Sequence, residues 1–433
     1  MTEIKRHSSA QWVIVLSYSL VIMALYFEQY AGVAFVAFLI SMGWLGFKAF
    51  KMPAEQKTPL LKQQRQWIVV SLIYAGVLIA SFFHFPITDD GVWRLSSYAF
   101  ILLLTGMFFI QTKYQITPVM LFSVAFFSFV YALIVFIIEW NFYGNALFLG
   151  GVRLGHYAAI DTGGYANFVM ATLIFMVAVI ALQGSRYLRF AALVALALLF
   201  VFAILTKGRT NIFFIPFIVL LAVFFLIHNK LWQLKSKLTL ISLPVLFIAI
   251  AGTTYFGKDR MYSAVSDFQQ LEQDNYYTSM GLRVLMAKVG TQIVQENPVM
   301  GVGLNHFRDA KADVLERKFV EVPEFVRNQV VDFTQIHNQF LMDAIFAGVF
   351  GLIALMLFLG YPLWLYARYY FQSDDVDVRI VAMSGIAFMG YILFTSLFGT
   401  VFTYTYTTIM YMLINMMLLG YLTQANTKQT SGV

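Results

Sequence analysis

The chain has 433 residues, of which 60% are hydrophobic and only 12% are charged, and its mean hydropathy is +0.74. This composition is far from that of a soluble domain and is typical of a membrane protein. The chain has no cysteine, which excludes disulfides, thiolate metal sites and cysteine nucleophiles. The net charge of +7 does not indicate nucleic acid binding, because Lys and Arg accumulate in the cytoplasmic and lipid-facing loops of membrane proteins.

Apolar segments occur along almost the whole chain. A helix needs about 20 apolar residues to cross a hydrocarbon core, so the composition predicts an all-α polytopic protein with about 12 transmembrane helices. Apolar runs bounded by charge, Gly or Pro predict spans near residues 11–27, 31–49, 67–84, 97–112, 116–138, 162–182, 188–206, 211–227, 239–256, 337–368, 379–399 and 403–421. The first run has no small-residue cleavage site, which predicts a retained span and not a removed signal peptide. The tenth run is long enough to project beyond the bilayer.

The basic residues predict the orientation. If the N-terminus is inside, more than half of the 29 Lys and Arg residues fall in inner segments. The short outer loops then hold only Arg94, Arg153, Lys207 and Arg209. Because loops retained in the cytoplasm are enriched in Lys and Arg, both termini are predicted to be cytoplasmic.

One long outer segment interrupts the spans. Residues 257–336 lie between the ninth and tenth runs and predict a small, mostly helical domain, with short helices near 305–318 and 323–332. Its first helix is indicated by apolar residues at helical spacing, which are Leu282, Leu285, Met286, Val289 and Ile293. The predicted division is therefore residues 1–256 with spans one to nine, 257–336 as the outer domain, and 337–433 with spans ten to twelve.

Two histidines are candidates for chemistry. His337 stands where the outer domain re-enters the membrane, and an imidazole there is suited to act as a general base because its ordinary pKa lies near ambient pH. The alternative is an interfacial histidine that anchors the end of a helix. His156 lies in an outer loop near Arg153, and together they are candidates for lining a site at the membrane surface.

Three cations are candidates for binding phosphate. Lys207 and Arg209 occupy a very short outer loop, and such a pair suits a diphosphate because Arg offers a planar fork and Lys a point charge. The alternative is a pair that snorkels to the surface. Arg283 lies on the first helix of the outer domain beside its apolar stripe, where a solvated arginine is the alternative.

Within the spans, Asp343 is the clearest ionisable residue, and it is expected to pair inside the helical bundle. There is no P-loop, no HExxH, no Cys/His metal spacing and no GxSxG in the sequence. The sequence therefore predicts no ATP hydrolysis, no metal site and no cofactor.

Several motifs together resemble the O-antigen ligase and polymerase superfamily of bacterial membrane glycosyltransferases. Members tend to have a Ser/Thr-x-x-Arg motif after a span, a later Arg, a Pro-x-x-Gly-x-Gly turn, and His-Asn-x-x-Leu followed by glycines. In this chain the matching residues are Thr206, Arg209, Arg283, Pro298, Gly301, Gly303, His337, Asn338, Leu341, Gly348 and Gly351. The chain departs from the family at Ala287, where an aromatic residue is often found.

The resemblance implies transfer of a glycan from an undecaprenyl diphosphate carrier to an acceptor hydroxyl on the periplasmic face of the bacterial inner membrane. Arg209 and Arg283 would hold the diphosphate, with assistance from Lys207, and His337 would take the proton of the acceptor. Asn338 would contact substrate, orient His337 or cap the helix. Neither metal nor nucleic acid is implied, and membrane lipid would surround the carrier.

Within the superfamily, the architecture resembles most the ligase that joins O antigen to the lipid A core. The O-antigen polymerase and the protein O-oligosaccharyltransferase share the same motifs and remain open. A flippase or secondary transporter for lipid-linked oligosaccharide is the alternative of another class. It would be expected to have paired internal repeats and charges at the middle of the membrane.

Overall fold

The computed structural model describes residues 9–24, 28–52, 60–144, 154, 162–180, 182, 185–228, 262, 265–272 and 275–430. These residues are helical or irregular, and none of them forms a strand. The helices are α1 (Ser9–Ala24), α2 (Glu28–Lys51), α3 (Lys62–Phe82), α4 (Asp89–Gln111), α5 (Pro118–Tyr143), α6 (Thr162–Ile180), α7 (Arg186–Leu205), α8 (Arg209–His228), α9 (Ser279–Glu296), α10 (Phe307–Lys318), α11 (Glu324–Asp332), α12 (Gln339–Gln372), α13 (Val376–Phe398) and α14 (Thr405–Thr430). The predicted all-α class is confirmed for these ranges.

Seven helices within the described ranges are long and apolar enough to cross a membrane, namely α3, α4, α5, α7, α12, α13 and the first 21 residues of α14. The chain is therefore a multi-pass membrane protein. Helices α1, α2, α6 and α8 coincide with four further predicted spans. The run near 239–256 lies outside the described residues, so the total of about 12 spans stays a prediction.

The outer segment contains the three predicted helices, α9, α10 and α11. Leu282, Leu285, Met286, Val289 and Ile293 are all buried, as the helical spacing predicted. Thr278 caps α9 by accepting a hydrogen bond from the Gly281 N–H at 2.9 Å. An exposed cluster around Arg317 ties α10 to Glu296 at the end of α9. The location of this domain on the periplasmic side stays a prediction.

Helix α12 is not one straight rod, which differs from the continuous projecting span that the sequence predicted. Ala347 and Gly348 have non-helical backbone angles, and Gly348 has a φ of 60°. A Cβ atom at Gly351 would overlap the carbonyl oxygen of Asp343, eight residues earlier, although eight residues rise about 12 Å along a straight helix. The first part of α12 therefore folds back against the second.

The backbone of the Pro-x-x-Gly-x-Gly turn packs directly against the backbone of α12 at this break. The N–H groups of Val302 and Gly303 donate to the carbonyl oxygens of Ile345 and Phe346 at 2.7 and 3.0 Å, and Val349 N–H donates to Pro298 at 2.9 Å. These bonds satisfy backbone groups that the broken helix leaves unpaired, which matters because an unpaired buried polar group is costly.

The glycines make this approach possible. Gly301 and Gly303 have φ values of 67° and 70°, a region that glycine adopts without steric cost. A Cβ at Gly301 would overlap the backbone at Ile345, and a Cβ at Gly348 would overlap the carbonyl group of Val299. Gly301 and Gly348 are thus required by the contact between the turn and α12.

We expect Gly348→Ala to destabilise the protein by about 2 kcal/mol or more, because the new methyl group meets backbone atoms at a positive φ. Gly360→Ala, farther along α12 and with nothing within 4 Å of its added Cβ, is the matched control. Thermal unfolding in detergent measures both, and equal unfolding temperatures for the two variants would contradict this account of Gly348.

Candidate active site

His337 stands directly before the first turn of α12, in an unusual backbone conformation. Its φ is 57°, and its half-buried ring lies edge to face with Phe333 at 6.1 Å between centroids. Among the described residues, Lys207 is the one other non-glycine residue with a positive φ, at 48°. Such conformations cost free energy and persist where surrounding contacts impose them, often at functional sites.

Asn338 holds the backbone next to His337. Its Oδ1 accepts a hydrogen bond from Leu341 N–H at 2.9 Å, which caps α12, and its Nδ2 donates to the carbonyl oxygen of Leu397 at 3.2 Å. The cap that the sequence allowed is therefore present. A contact of Asn338 with substrate stays a prediction.

Two further amides fasten the chain on either side of His337 to the segment that follows α13. Gln335 accepts a hydrogen bond from the Thr400 hydroxyl and donates to the Tyr404 hydroxyl at 2.8 Å. Gln339 accepts from Phe402 N–H at 2.9 Å. Because these bonds lie two residues before and two residues after His337, they restrict the backbone that carries the imidazole.

The side chain of Gln339 is in turn hydrogen-bonded to a buried carboxylate one turn farther along α12. Its Nε2 donates to Asp343 at 2.7 Å, and the Tyr74 hydroxyl of α3 donates to the other oxygen of Asp343 at 2.8 Å. Asp343 is fully buried. The expectation that it pairs inside the bundle is confirmed, and its partners are neutral hydrogen-bond donors.

Arg283 lies on the face of α9 that packs against α12. A Cβ at Gly290 would press on the side chains of Leu341 and Ile345. Arg283 precedes Gly290 by seven residues, or about 700° of rotation, so both residues lie on nearly the same face. Gly290 of α9 lies beside Leu341, and Pro298, just after α9, bonds to Val349 farther along α12. The two helices therefore run in the same direction. Arg283, which is exposed, therefore lies on the side from which the chain enters α12 at His337.

Lys207 and Arg209 stand at the turn between α7 and α8. Lys207 is only 8% exposed, so its side chain is largely buried. The alternative of a pair that snorkels to the surface stays open. Arg209 begins α8, and its side chain lies outside the described set. Asn211 fastens this turn by donating to Thr206 Oγ1 at 3.2 Å and to the carbonyl oxygen of Ala166 at 3.0 Å.

Helix α13 connects this turn to the His337 segment. The Tyr391 hydroxyl is 2.8 Å from Oδ1 of Asn211 and 2.6 Å from Oδ1 of Asn167. Six residues farther along α13, or about 9 Å, Leu397 receives the hydrogen bond from Asn338. The turn that carries Arg209 and the segment that carries His337 therefore contact the same end of one helix.

Arg153 and His156 lie outside the described residues, so their part in a site stays a prediction. Leu154 between them is described, and its N–H donates to the carbonyl oxygen of Leu205 at 3.0 Å. Leu154 therefore lies beside the end of α7, two residues before Lys207.

Several residues that shape this site were not predicted to do so. The sequence placed Arg94 in an outer loop, but α4 begins at Asp89 and buries Arg94, which is 1% exposed. An arginine inside an apolar helix is a signal that sequence reasoning could have used. Asn211 and Tyr391 carry no such signal. Across the described ranges, no three His, Cys, Asp or Glu side chains come together as metal ligands would.

Comparison with known proteins gives two findings. Residues 194–356 match the model of a family described as O-Antigen ligase, which confirms the resemblance that the motifs indicated. An uncharacterized protein of Haemophilus influenzae is 24% identical over 196 residues, which cover 45% of this chain and 47% of that relative. The similarity therefore spans about half the length of the relative. The family match includes Arg209, Arg283 and His337.

We expect Asn338→Ala to lower the free energy of unfolding by about 1 kcal/mol, because it removes the cap of α12 and the bond to Leu397. Asn338→Asp keeps the acceptor of the cap and should lose less. The matched control is Asn328→Ala on the exposed surface of α11, which should change stability by less than about 0.5 kcal/mol. Thermal unfolding in detergent compares the three, and an Asn338→Ala protein as stable as the control would exclude the cap as a stabilising contact.

Proposed function

We propose that this protein is a glycosyltransferase of the bacterial inner membrane that acts on the periplasmic face. It transfers a glycan from undecaprenyl diphosphate to a sugar hydroxyl of the lipid A core, as an O-antigen ligase does. The observation that carries the proposal is the strained His337 at the start of α12, beside the helix that bears Arg283, within the segment that matches the O-Antigen ligase family.

The proposed reaction is a direct displacement. The acceptor oxygen attacks the anomeric carbon as its proton passes to the imidazole of His337, and the bond from that carbon to the diphosphate oxygen breaks. The electron pair of the broken bond leaves with the diphosphate, which Arg209 and Arg283 stabilise as charge develops. Attack from the side opposite the leaving group inverts the anomeric configuration. A rigid backbone at His337 favours this reaction, because catalysis depends on holding the reacting groups in place.

The proposal needs no metal, because the guanidinium groups replace it at the diphosphate. Lys207 adds positive charge at the turn before Arg209, while Arg153 and His156 are proposed to line the substrate site from the neighbouring loop. The apolar surfaces of the spans would contact the polyprenyl tail, and both chain termini would be cytoplasmic.

We expect His337→Ala, Arg283→Ala and Arg209→Ala each to lower kcat by about 10²-fold or more, since each removes a proton acceptor or a stabilising charge. Arg283→Lys should recover part of the loss, because lysine keeps the charge but not the fork. The assay uses purified protein in nanodiscs, a carrier-linked glycan and a core acceptor, with and without a metal chelator.

The controls for this assay are His306→Ala, at a half-buried residue, and Arg308→Ala, at an exposed one, both in the same outer segment. They should keep at least half of the activity. Full activity of His337→Ala or Arg283→Ala would contradict the proposed mechanism, and loss of activity with the chelator would contradict metal independence.

The acceptor is tested in the host. Deleting the gene should remove all O antigen from the lipid A core on a lipopolysaccharide gel, while polymer accumulates on the carrier. Wild-type protein should restore the ladder, and His337→Ala should not. A core that bears a single repeat would identify a polymerase, and an unchanged ladder would direct the search to protein O-glycosylation or transport.

A further inference from the structure

Lys311, in α10, is buried under the segment that leads to His337. Its Nζ donates to the carbonyl oxygens of Val330 and Val331 at 2.9 and 2.8 Å, and also to that of Phe333. Burial lowers the pKa of Lys311 to about 7, and the charges of Arg94 and Arg308 act in the same direction.

Arg94, in α4, reaches the same segment from the membrane side. Its guanidinium is 3.5 Å from the carbonyl oxygen of Thr334 and 3.3 Å from that of Leu304, at the end of the Pro-x-x-Gly-x-Gly turn. The carboxylate of Asp90 lies 3.7 Å from it. Arg94 thus bonds both to the end of the turn that contacts the break and to the segment that leads into α12.

The two basic side chains share one aromatic ring. The ring centroid of Phe307 lies 4.5 Å from Lys311 Nζ and 5.0 Å from Arg94 Cζ. The Arg94 guanidinium also lies 5.9 Å from the ring of Phe346, the last residue before the break. Cation–π contacts are stronger when water is excluded, and both basic residues are buried.

We infer that Arg94 and Lys311 form a clasp that positions His337, and this inference rests on the proposed function. The clasp consists of Arg94, Lys311 and Phe307, and it grips the carbonyl groups of residues 330–334, three to seven residues before the imidazole. Arg94 and Lys311 are positioning residues, because they act on the backbone before His337 and not on substrate.

The burial and the hydrogen bonds of Arg94 and Lys311 favour a role in positioning His337 over a general contribution to folding. The carbonyl groups at the end of α11 need donors, but water could supply them at the surface. Burying two basic side chains is costly, and a role in fixing the conformation of this segment accounts for their burial here. Because the amides of Gln335, Asn338 and Gln339 restrict the chain next to His337, the clasp adds a second set of restraints a few residues upstream.

The kinetic test compares Arg94→Met and Lys311→Met, which remove the donors but keep a long side chain. Each should lower kcat by about 10²-fold with KM changed less than about threefold, since a small misplacement of a catalytic group costs about that much. Lys311→Arg and Arg94→Lys, which keep a donor, should recover part of the rate. Arg308→Met is the matched control, three residues before Lys311 and paired with exposed Asp332.

A His337→Ala background separates positioning from folding. If the clasp acts through His337, adding Arg94→Met there should change the residual rate less than about threefold, because effects of residues that act as a unit are not additive. A further loss as large as in the wild-type background, or a rise in KM with kcat unchanged, would overturn the inference.

A structural measurement keeps the test independent of the proposed reaction. The chain has no cysteine, so a single cysteine introduced by Thr334→Cys at an exposed position accepts one spin label. Arg94→Met and Lys311→Met should make this label markedly more mobile, whereas Arg308→Met should not. If the spin-label spectrum is unchanged in Arg94→Met and Lys311→Met, the clasp is overturned, whether or not the protein has transferase activity. If the spectra change as expected but the wild-type protein is inactive, only the proposed function is overturned.

Discussion

The contact on which the rest of the site depends is the one between the turn at 298–303 and the break in α12. Three hydrogen bonds join them, and all three run between backbone groups. Such a contact requires two chain segments to approach more closely than Cβ atoms permit, so glycine is needed at Gly301 and Gly348. Because the break turns the first part of α12 back on itself, it decides where His337 can lie.

Around the contact between the turn and α12, the polar contacts are made by groups far apart in the sequence. Asn305, just after the turn, donates to the carbonyl oxygen of Phe82 at 2.5 Å and accepts from Thr88 N–H at 3.1 Å. The outer segment is thereby fastened to the connection between α3 and α4. Arg94 and Lys311 then hold the chain before α12, and Gln335, Asn338 and Gln339 hold it to the end of α13.

The clasp and the proposed reaction require cationic side chains of opposite exposure. Phosphate recognition needs a cation that a substrate can reach, which fits the exposed side chain of Arg283. Arg94 and Lys311 are buried and bonded to backbone carbonyl groups, so they are poorly placed for a ligand. Exposure and partners, and not residue type, therefore separate Arg283 from Arg94 and Lys311, which support the backbone.

Much of this protein could be predicted from its sequence. Hydropathy predicted the helices because a helix that crosses lipid needs a long apolar run, and helical spacing predicted the buried stripe of α9. Motif resemblance selected His337, Arg209 and Arg283, and the family match supports that resemblance. These are local properties, which depend on residues close together in the chain.

Other features were decided only by the tertiary structure. The break in α12 was not predicted, because the residues around Gly348 form a continuous apolar run like that of an unbroken span, and only the approach of the turn requires the glycine. Arg94 was assigned to a loop since its partners, Leu304 and Thr334, are more than 200 residues away. Tyr391 gave no signal because its hydroxyl bonds to Asn211 and Asn167 across three helices. A hydrogen bond between distant segments leaves no periodic pattern in either one, so only folding reveals it.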